Sequence, residues 1–397
     1  MITVAVICEY NPFHKGHEYQ FSKIREEFGD DTAIVAIMSG NYTQRGEVAF
    51  APKEVRAKCA VLGGADLVLE LPFPFSSSNA EIFAKSGVKI ANELGFVDYL
   101  SFGSESGDVS ELEKAANIYM SPEFKAAFEE ASKDKKLGYP EIMEKAFLSL
   151  SGTDLTFTPN NILGIEYIKA IISLNSSIKP HTVKRLGSGY NCHSITDGVY
   201  QSASAIRSVI DDESALNFVP DNTRDAVRSA IENGDAPAKT DNLSAPIISF
   251  FRLNPTLPKS DTLDAGDGLY NRIQNASFDA NDISSLIELS ATKNYTKARI
   301  RRAILNSFFG VTSSDAGKLP KYTQVLAMNK VGMLLLKKTQ ESSEFKILTK
   351  PSAFDSFPDE IKSQKLLSDR ADSIYELSKP LPKSGRSSLR LTPFVKK

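Results

Sequence analysis

The chain has 397 residues, which is long enough for two domains on a scale of about 150 residues each. Its composition, 41% hydrophobic and 24% charged, is that of an ordinary soluble protein and excludes a largely disordered chain. The formal net charge of −2 gives no general attraction for nucleic acid, so an RNA-binding protein of this composition must concentrate its positive charge on one face.

Membrane and disulfide-rich classes are also disfavoured. No apolar run approaches the roughly 20 residues that cross a bilayer, and the N-terminus lacks a basic leader with a small-residue cleavage site. Cys8, Cys59 and Cys192 lie far apart and are odd in number, which argues against a disulfide framework or a structural zinc site. We expect a cytoplasmic protein without a membrane partner; the oligomeric state stays open.

The first twenty residues predict a strand, a turn and the start of a helix. Residues 2–8 form an apolar run of strand length, and His14 and His17 flank Gly16 just before a helical pattern begins. Free amides and the helix dipole at such a turn favour an anion, and imidazoles can donate hydrogen bonds to phosphoryl oxygens. The alternative interpretation is a helix-capping turn with two surface histidines.

The segment His14-Lys15-Gly16-His17 resembles the HIGH signature of a nucleotidyltransferase superfamily, in which His-x-Gly-His binds the triphosphate of ATP. The preceding residues 9–13 resemble one branch, the tRNA(Met) cytidine acetate ligases. These enzymes activate acetate with ATP and acetylate N4 of the wobble cytidine (position 34) of elongator tRNA(Met). The resemblance implies that His14 and His17 are catalytic. It also implies that ATP contacts Ile7, Cys8, Glu9, Tyr10, Asn11, Pro12, Phe13, His14, Lys15, Gly16, His17, Glu18, Tyr19 and Gln20.

Four further strands are predicted along the first half of the chain, at residues 34–38, 66–71, 97–102 and 181–184. Helical patterns separate the earlier ones, so the first two strands form a right-handed βαβ unit. Residues 108–150 are predicted to be a helical insertion. We therefore expect an α/β fold with a Rossmann-like parallel sheet in a catalytic, ATP-binding domain at residues 1–212.

The loop after the second strand carries two candidate substrate-binding residues, Gln44 and Arg45. Ligands of open parallel sheets lie beyond the carboxyl ends of the strands, and the planar donors of Arg45 suit a phosphate or a carboxylate. The alternative is an exposed loop arginine. On the following predicted helix, Lys53 and Arg56 share one face, which is either a phosphate contact or a solvated surface.

Later residues of the first domain are candidates for nucleotide contact. Gly103 ends the fourth strand, where a glycine permits close approach of a flat ligand such as adenine, although a plain turn glycine is the alternative. The family resemblance implies ATP contacts from Gly103, from Arg185 and from either Asn160 or Asn161. The paired asparagines also fit a simple helix N-cap.

Residues 202–207 resemble the second signature of the same superfamily. There, Ser204 and Arg207 would open a helix against the β- and γ-phosphates. The presence of both signatures in one chain favours ATP as the ligand. Mg²⁺ is expected to be carried mainly on the phosphate oxygens, because proteins alone usually do not cage it.

Residues 213–397 are expected to form a mostly helical, tRNA-binding C-terminal domain. Residues 292–302 carry five basic side chains and no acid, and residues 379–397 carry six basic side chains and no acid. Such runs are usually solvated faces, but in a chain of this net charge we interpret them as a footprint for the phosphate backbone. The candidate RNA-binding residues are Lys293, Lys297, Arg299, Arg301 and Arg302.

Two other functions fit parts of this pattern. A small-molecule adenylyltransferase would keep the ATP site, but nearly two hundred further residues with basic stretches are superfluous to that task. A non-catalytic RNA-binding protein could have a degenerate nucleotide fold, because fold alone does not fix function. The presence of His14, His17, Ser204 and Arg207 argues against a non-catalytic RNA-binding protein. The catalytic base and the acetate pocket stay open.

Overall fold

The computed structural model describes residues 1–134, 137–151, 158–186, 200–210, 213–256, 261–266, 268–342, 345–386 and 392–397. The predicted domain boundary at residue 212, Cys192 and part of the basic stretch at 379–397 lie outside the described residues.

A mixed β-sheet forms the centre of the fold, with the strand order β5-β4-β1-β2-β3-β6-β7 and with β8 paired to β6. All neighbouring strands are parallel except β3 and β6, which are antiparallel. The five strands predicted from the sequence are confirmed. The strands are β1 Thr3–Cys8, β2 Ala33–Ser39, β3 Leu67–Leu71, β4 Tyr99–Ser104, β5 Lys179–Lys184, β6 Tyr322–Met328, β7 Lys346–Leu348 and β8 Phe394–Val395.

Helices make up most of the remainder. The α-helices are α1 Lys15–Phe28, α2 Lys53–Leu62, α3 Ala80–Glu93, α4 Val109–Met120, α5 Pro122–Ala131, α6 Tyr139–Ser151, α7 Pro159–Ser173, α8 Ala203–Ser208, α9 Asp221–Glu232, α10 Ser244–Leu253, α11 Leu269–Ala276, α12 Ile283–Ser290, α13 Lys297–Phe309, α14 Ser313–Gly317, α15 Lys330–Ser342 and α16 Asp359–Tyr375. Across the described part of the chain, none of the helices combines the length and apolarity that a bilayer span requires.

The two faces of the sheet are covered by different helices. Side chains alternate along β1, so that Val4 and Val6 pack towards α1, α2 and α9, while Ala5 and Ile7 pack towards α3, α4 and α7. A third apolar cluster joins the loops after β2 and β3 to α10, α11, α12, α13 and α16. The loops at the carboxyl ends of β2 and β3 therefore pack against the C-terminal helices.

Strands β6, β7 and β8 were not predicted, and they come from the C-terminal side of residue 212. Strand β6 pairs with β3 over Leu67↔Met328 to Leu69↔Val325, so the later part of the chain completes the sheet of the earlier part. When a strand pairs with a strand that is distant in sequence, the only local sign of it is a short apolar run. The division into domains at residue 212 stays a prediction.

Neither interpretation of Lys53 and Arg56 was right, because both side chains are buried within the protein. Nζ of Lys53 lies 2.7 Å from Oε1 of Glu70 on β3 and 2.6 Å from Oδ2 of Asp372 on α16. Burial lowers the pKa of Lys53, but the carboxylates of Asp372 and Glu70 more than offset it and raise the pKa above its ordinary value. The Arg56 guanidinium donates to the carbonyl oxygens of Glu9, Ser39, Gly40 and Ala51.

The buried cation should be essential for stability. We expect Lys53→Met to lower the free energy of unfolding by about 3–5 kcal/mol, because Glu70 and Asp372 would then be buried without a compensating charge. Urea denaturation measures this change. Lys23→Met is the matched control, since Lys23 pairs with Glu26 at the surface and should cost less than about 1 kcal/mol. Equal effects of the two substitutions would contradict the assignment.

Candidate active site

A cavity that we name the histidine cavity lies at the carboxyl ends of β1, β2 and β4, as expected for an open parallel sheet. The structure brings most of the predicted site residues to it. From the predicted set, its lining includes Ile7, Cys8, Glu9, Tyr10, Asn11, His14, His17, Gln20, Gln44, Arg45, Gly103, Asn160, Arg185, Ser204 and Arg207.

A smaller cavity adjoins it and is lined by Gly16 and Tyr19 as well as by both histidines. Five of the predicted ATP- and substrate-binding residues line neither space: Pro12, Phe13, Lys15, Glu18 and Asn161. Phe13 is instead part of the apolar core, where its ring packs against Tyr10 and Phe21. The apolar character of Phe13 therefore serves the fold behind the site.

His14 and His17 cap α1 through reciprocal hydrogen bonds. Nδ1 of His14 accepts from the backbone N–H of Gly16 at 3.0 Å, and Nδ1 of His17 accepts from the backbone N–H of His14 at 3.2 Å. A neutral imidazole whose Nδ1 accepts carries its proton on Nε2. The two stacked rings, with centroids 3.8 Å apart, therefore offer two Nε2–H donors at the N-terminus of a helix.

Both imidazoles are neutral in this environment. Burial, reinforced by the positive charges of Arg185 and Arg207, lowers the pKa of His14 to about 3. Burial also holds the pKa of His17 well below its ordinary value, with smaller contributions from His14 and Arg185. The cavity therefore attracts anions through neutral donors and through nearby guanidinium groups.

Gly16 is required by the cap itself. A methyl group at this position would lie 2.9 Å from Cε1 and 3.0 Å from Nδ1 of His14. Any larger residue would displace the ring that accepts the Gly16 amide proton. The glycine of the signature thus allows His14 to fold back over the first turn of α1.

Ser204 and Arg207 stand on α8, which begins after Ser202 accepts a capping bond from the backbone N–H of Ala205 at 3.1 Å. Nη1 of Arg207 donates to the carbonyl oxygen of Asn11 at 2.7 Å, and Nη2 donates to Oγ of Ser204 at 3.3 Å. The second signature is therefore attached directly to the turn after β1. Its cation faces the same cavity as the histidine pair.

Gln44 and Arg45 lie on the β2 side of the histidine cavity. The backbone N–H of Gln44 donates to Oε1 of Glu9 at 2.8 Å, which joins the loop after β2 to the end of β1. Burial raises the pKa of Glu9, against the opposing effects of this hydrogen bond and of nearby arginines. This side of the cavity thus combines amide and guanidinium donors with one buried carboxyl group.

The β4 side is built from Gly103, Asn160 and Arg185. Nδ2 of Asn160 donates to Oε1 of Glu105 at 2.6 Å, while Oδ1 of Asn161 accepts from the backbone N–H of Glu105 at 3.1 Å. Of the two asparagines, Asn160 lines the histidine cavity, and Asn161 stabilises the loop after β4. A Cβ at Gly103 would lie 3.2 Å from Cγ of Arg185, so the arginine side chain crosses the glycine.

Arg185 lies where the histidine cavity and the smaller cavity meet. The histidine cavity holds about 180 Å³ and the smaller cavity about 70 Å³, and Arg185 lines both. Each volume is below the roughly 300 Å³ at which sites for drug-sized ligands begin. The two spaces also share both histidines and Gly103, so a single ligand can contact residues of both.

The basic stretch at residues 292–302 is acid-free in sequence but not in space. Nζ of Lys297 lies 2.5 Å from Glu288, and Nε of Arg302 lies 2.8 Å from Asp264. Arg301 lies 3.2 Å from Glu47. Part of the positive charge is thus balanced within the protein. The absence of acidic residues from the sequence of this stretch therefore does not mean that its cations are unpaired in the folded protein. The RNA-binding role of this stretch, including Lys293 and Arg299, stays a prediction.

Several residues at the site were not singled out from the sequence. Glu47 lines the histidine cavity, and the aromatic rings of Phe83, Phe102 and Tyr167 form its apolar wall. Glu47 could have been noticed because it shares the loop of Gln44 and Arg45. The aromatic residues lie within ordinary helix and strand patterns, which give no such signal. Within the described ranges, no group of three or more His, Cys, Asp or Glu side chains is arranged to hold a metal ion.

Comparison with known proteins agrees with this geometry. A family model described as HIGH Nucleotidyl Transferase matches residues 1–388. The chain belongs to this family. Relatives named tRNA(Met) cytidine acetate ligase include one from Acetivibrio thermocellus, 35% identical over 384 residues and 92% of both chains. Another, from Thermosipho africanus, is 36% identical over 364 residues, covering 89% of this chain and 85% of the relative.

The fold is also that of a protein with solved structures, Thermotoga maritima TmcAL. Thermotoga maritima TmcAL bound with alpha-thio ATP superposes with a TM-score of 0.90 at 28% identity, over 100% of both chains. The apo form of that protein gives a TM-score of 0.92 at the same identity and coverage. The similarity therefore includes the C-terminal half as well as the strand that carries the histidine pair.

Substitution of Gly16 should disrupt anion binding while leaving the fold intact. We expect Gly16→Ala to displace the His14 ring and to weaken binding of inorganic tripolyphosphate by about tenfold or more, the range for losing a charge-assisted hydrogen bond. Isothermal titration calorimetry measures the affinity. Gly317→Ala is the matched control, because a methyl group there meets no atom within 4 Å. Unchanged affinity in Gly16→Ala would contradict the proposed function of the cap.

Acid should destabilise the ligand-free protein through the buried imidazoles. The pKa of His14 is about 3 when folded and near 6.5 in an unfolded chain, so protons bind preferentially to the unfolded state between these values. Stability is therefore lost as the pH falls below about 6.5. His14→Gln should reduce the loss between about pH 7.5 and pH 5 by about 2 kcal/mol, measured by urea unfolding. Identical pH profiles would contradict the assignment.

Proposed function

We propose that this chain is an ATP-dependent ligase that activates acetate as acetyl-adenylate and acetylates N4 of the wobble cytidine of elongator tRNA(Met). The observation that carries the proposal is the pair of Nε2–H donors that His14 and His17 present to the histidine cavity. Relatives that carry the name tRNA(Met) cytidine acetate ligase over about nine-tenths of the chain support the substrate assignment.

The first step is an in-line displacement at the α-phosphorus of ATP. An acetate oxygen attacks phosphorus, the bond to the bridging oxygen breaks, and pyrophosphate leaves with the electron pair. Such a reaction needs positioning and charge stabilisation rather than covalent help from the protein. His14, His17, Ser204 and Arg207 are the donors that we assign to the triphosphate and to the charge that grows on the leaving pyrophosphate.

The strand order supports an arrangement of the substrates along the edge of the sheet. Strand β1, which leads to the histidine pair, lies between β4 and β2. We assign the adenosine part of ATP to the β4 side, near Gly103, Asn160 and Arg185. Acetate then lies on the β2 side, near Gln44 and Arg45, with the α-phosphate between the two. Arg45 offers a planar pair of donors for a carboxylate.

The cation that accompanies the triphosphate is assigned to the phosphate oxygens. Mg²⁺ usually keeps several waters and binds through phosphates and one or two carboxylates. Within the described residues there is no cluster of potential ligands at the cavity. The residues at the cavity therefore suit a metal ion that arrives bound to ATP. When bound, this ion would neutralise charge on the phosphates.

The second substrate is an RNA loop. An exocyclic amine on a pairing edge is accessible only when the base is unpaired, and sequence-specific RNA recognition usually targets such loops. We assign tRNA contacts to residues 213–397, including Lys293, Lys297, Arg299, Arg301 and Arg302. ATP and tRNA belong to the cytoplasm, which is the location that we propose.

Transfer of labelled acetate tests the proposal directly. Protein incubated with ATP, radiolabelled acetate and elongator tRNA(Met) should produce acid-precipitable label that depends on ATP. A small-molecule adenylyltransferase or a non-catalytic RNA-binding protein would produce none. Label in the absence of ATP, or none in its presence, would contradict the ligase.

The histidine pair should be required for this transfer. We expect His14→Ala to lower the rate about 10²-fold or more, as for the removal of a donor that stabilises developing charge. His181→Gln is the control, because His181 is a buried histidine on β5 that hydrogen bonds with Ser101 and does not line the cavity. Full activity in His14→Ala would exclude that residue from the mechanism.

A further inference from the structure

A third cavity, which we name the lateral cavity, also adjoins the histidine cavity. It holds about 450 Å³, within the range of sites for small organic ligands. Glu47 and Arg207 line both cavities, so the two spaces meet at these side chains. Phe50 and Ile287 contribute apolar surface to the lateral cavity, while Arg301 adds a cation. The space thus combines apolar packing with a few polar groups.

An ion pair stands where the two cavities meet. Nη1 of Arg301 lies 3.2 Å from Oε1 of Glu47, and the side chains are 27% and 28% exposed. A ligand in the lateral cavity can therefore reach both groups. The pair presents a hydrogen-bond acceptor directly beside a hydrogen-bond donor.

The position of Glu47 is fixed by its loop. Gly46 has a φ of +76°, and a Cβ there would lie 2.7 Å from the backbone nitrogen of Arg302. Only glycine allows the loop to approach the backbone of α13 so closely. Within the loop, the backbone N–H of Thr43 donates to the carbonyl oxygen of Glu47 at 2.9 Å. Glu47 is thus held against Arg301 by contacts on both sides.

The donor and acceptor pattern of this pair matches one pyrimidine. Cytosine presents its N4 amine as a donor beside N3 as an acceptor, and glutamate is a usual acceptor for N4–H. Uracil presents an acceptor at O4 beside a donor at N3, which is the opposite pattern. A carboxylate beside a guanidinium therefore favours cytosine over uracil.

We propose that the lateral cavity binds the unstacked cytosine of the RNA substrate, with Glu47 accepting a hydrogen bond from N4 and Arg301 donating to N3. The proposal rests on the proposed function, because it identifies the site of the second substrate. Unstacked RNA bases pack their faces on apolar or aromatic side chains while their edges are read by polar ones. Phe50 and Ile287 provide such packing here.

The shared position of Glu47 gives it a part in the transfer step. The N4 nitrogen attacks the carbonyl carbon of the acetyl-adenylate and forms a carbon–nitrogen bond. The bond between that carbon and the phosphate oxygen breaks, and its electron pair leaves with AMP. The proton that N4 loses goes to the Glu47 carboxylate. Glu47 would therefore act on transfer and not on adenylation.

The two half-reactions separate these roles. In Glu47→Gln, acetyl transfer to tRNA should fall about 10²-fold or more relative to acetate-dependent exchange of pyrophosphate into ATP, as for loss of a general base. Equal losses in exchange and transfer would overturn the proposal, because Glu47 would then belong to the adenylation site. Absence of exchange in the wild-type protein would contradict the proposed function instead.

Base preference is measured without ATP or acetate and so does not depend on activity. An anticodon stem-loop RNA with cytidine at the wobble position should bind about tenfold or more tightly than the same RNA with uridine. Glu47→Gln should abolish this preference, because a glutamine side chain can both donate and accept. A wild-type protein that binds both RNAs equally, or a variant that keeps the preference, would overturn the proposal.

A variant that fills the cavity provides an independent check. Ser284 is exposed at the start of α12 and lines the lateral cavity, so Ser284→Trp should block entry of the base. We expect weaker binding of the cytidine RNA with unchanged pyrophosphate exchange. Leu289→Trp is the matched control, because Leu289 is 48% exposed on the same helix and does not line the cavity. Equal RNA binding by the two variants would overturn the assignment.

Discussion

The reciprocal hydrogen bonds at the start of α1 are the constraint on which the site depends. Because Nδ1 of His14 and Nδ1 of His17 both accept backbone protons, neither ring can rotate without breaking the helix cap. The ring of Tyr10 makes a T-shaped contact with His17, with centroids 4.7 Å apart, which further restrains this imidazole. The hydrogen bonds that begin α1 therefore also orient the two Nε2–H donors. The position of β1 in the sheet determines where these donors lie.

The N-terminal part of the chain does not complete this site by itself. Oδ1 of Asn41 accepts from the backbone N–H of Lys53 at 2.9 Å, and its Nδ2 donates to Asp372 on α16 at 2.9 Å. The hydroxyl of Tyr42 donates to the carbonyl oxygen of Ala371 at 3.0 Å. A helix near the C-terminus thus shapes the loop that brings Gln44, Arg45 and Glu47 to the cavity. The buried pairing of Lys53 with Asp372 makes that arrangement part of the core, so the loop and the helix are stable only together.

Local patterns were sufficient for the five parallel strands, because each is a short apolar run bounded by turn residues. They were also sufficient for the histidine pair, since its spacing and its place after β1 are both local. The environment of a side chain was not predictable in the same way. Lys53 and Arg56 were correctly placed on one helix face, but no sequence pattern indicated that this face meets Asp372 and four backbone carbonyl groups. Strand β6 likewise takes its place from pairing with β3, which is distant in sequence.

The three-dimensional environment of each cation also determines whether its charge is available to a ligand. Lys297, Arg301 and Arg302 each lie within 3.2 Å of a carboxylate from another element, so an approaching phosphate must compete with an existing ion pair. Arg207 donates instead to two neutral acceptors, the carbonyl oxygen of Asn11 and Oγ of Ser204. Its charge helps to lower the pKa of His14 and borders both cavities. Within the described residues, a phosphate that reaches Arg207 therefore meets a guanidinium hydrogen-bonded to neutral groups, whereas one that reaches Lys297, Arg301 or Arg302 must displace a carboxylate.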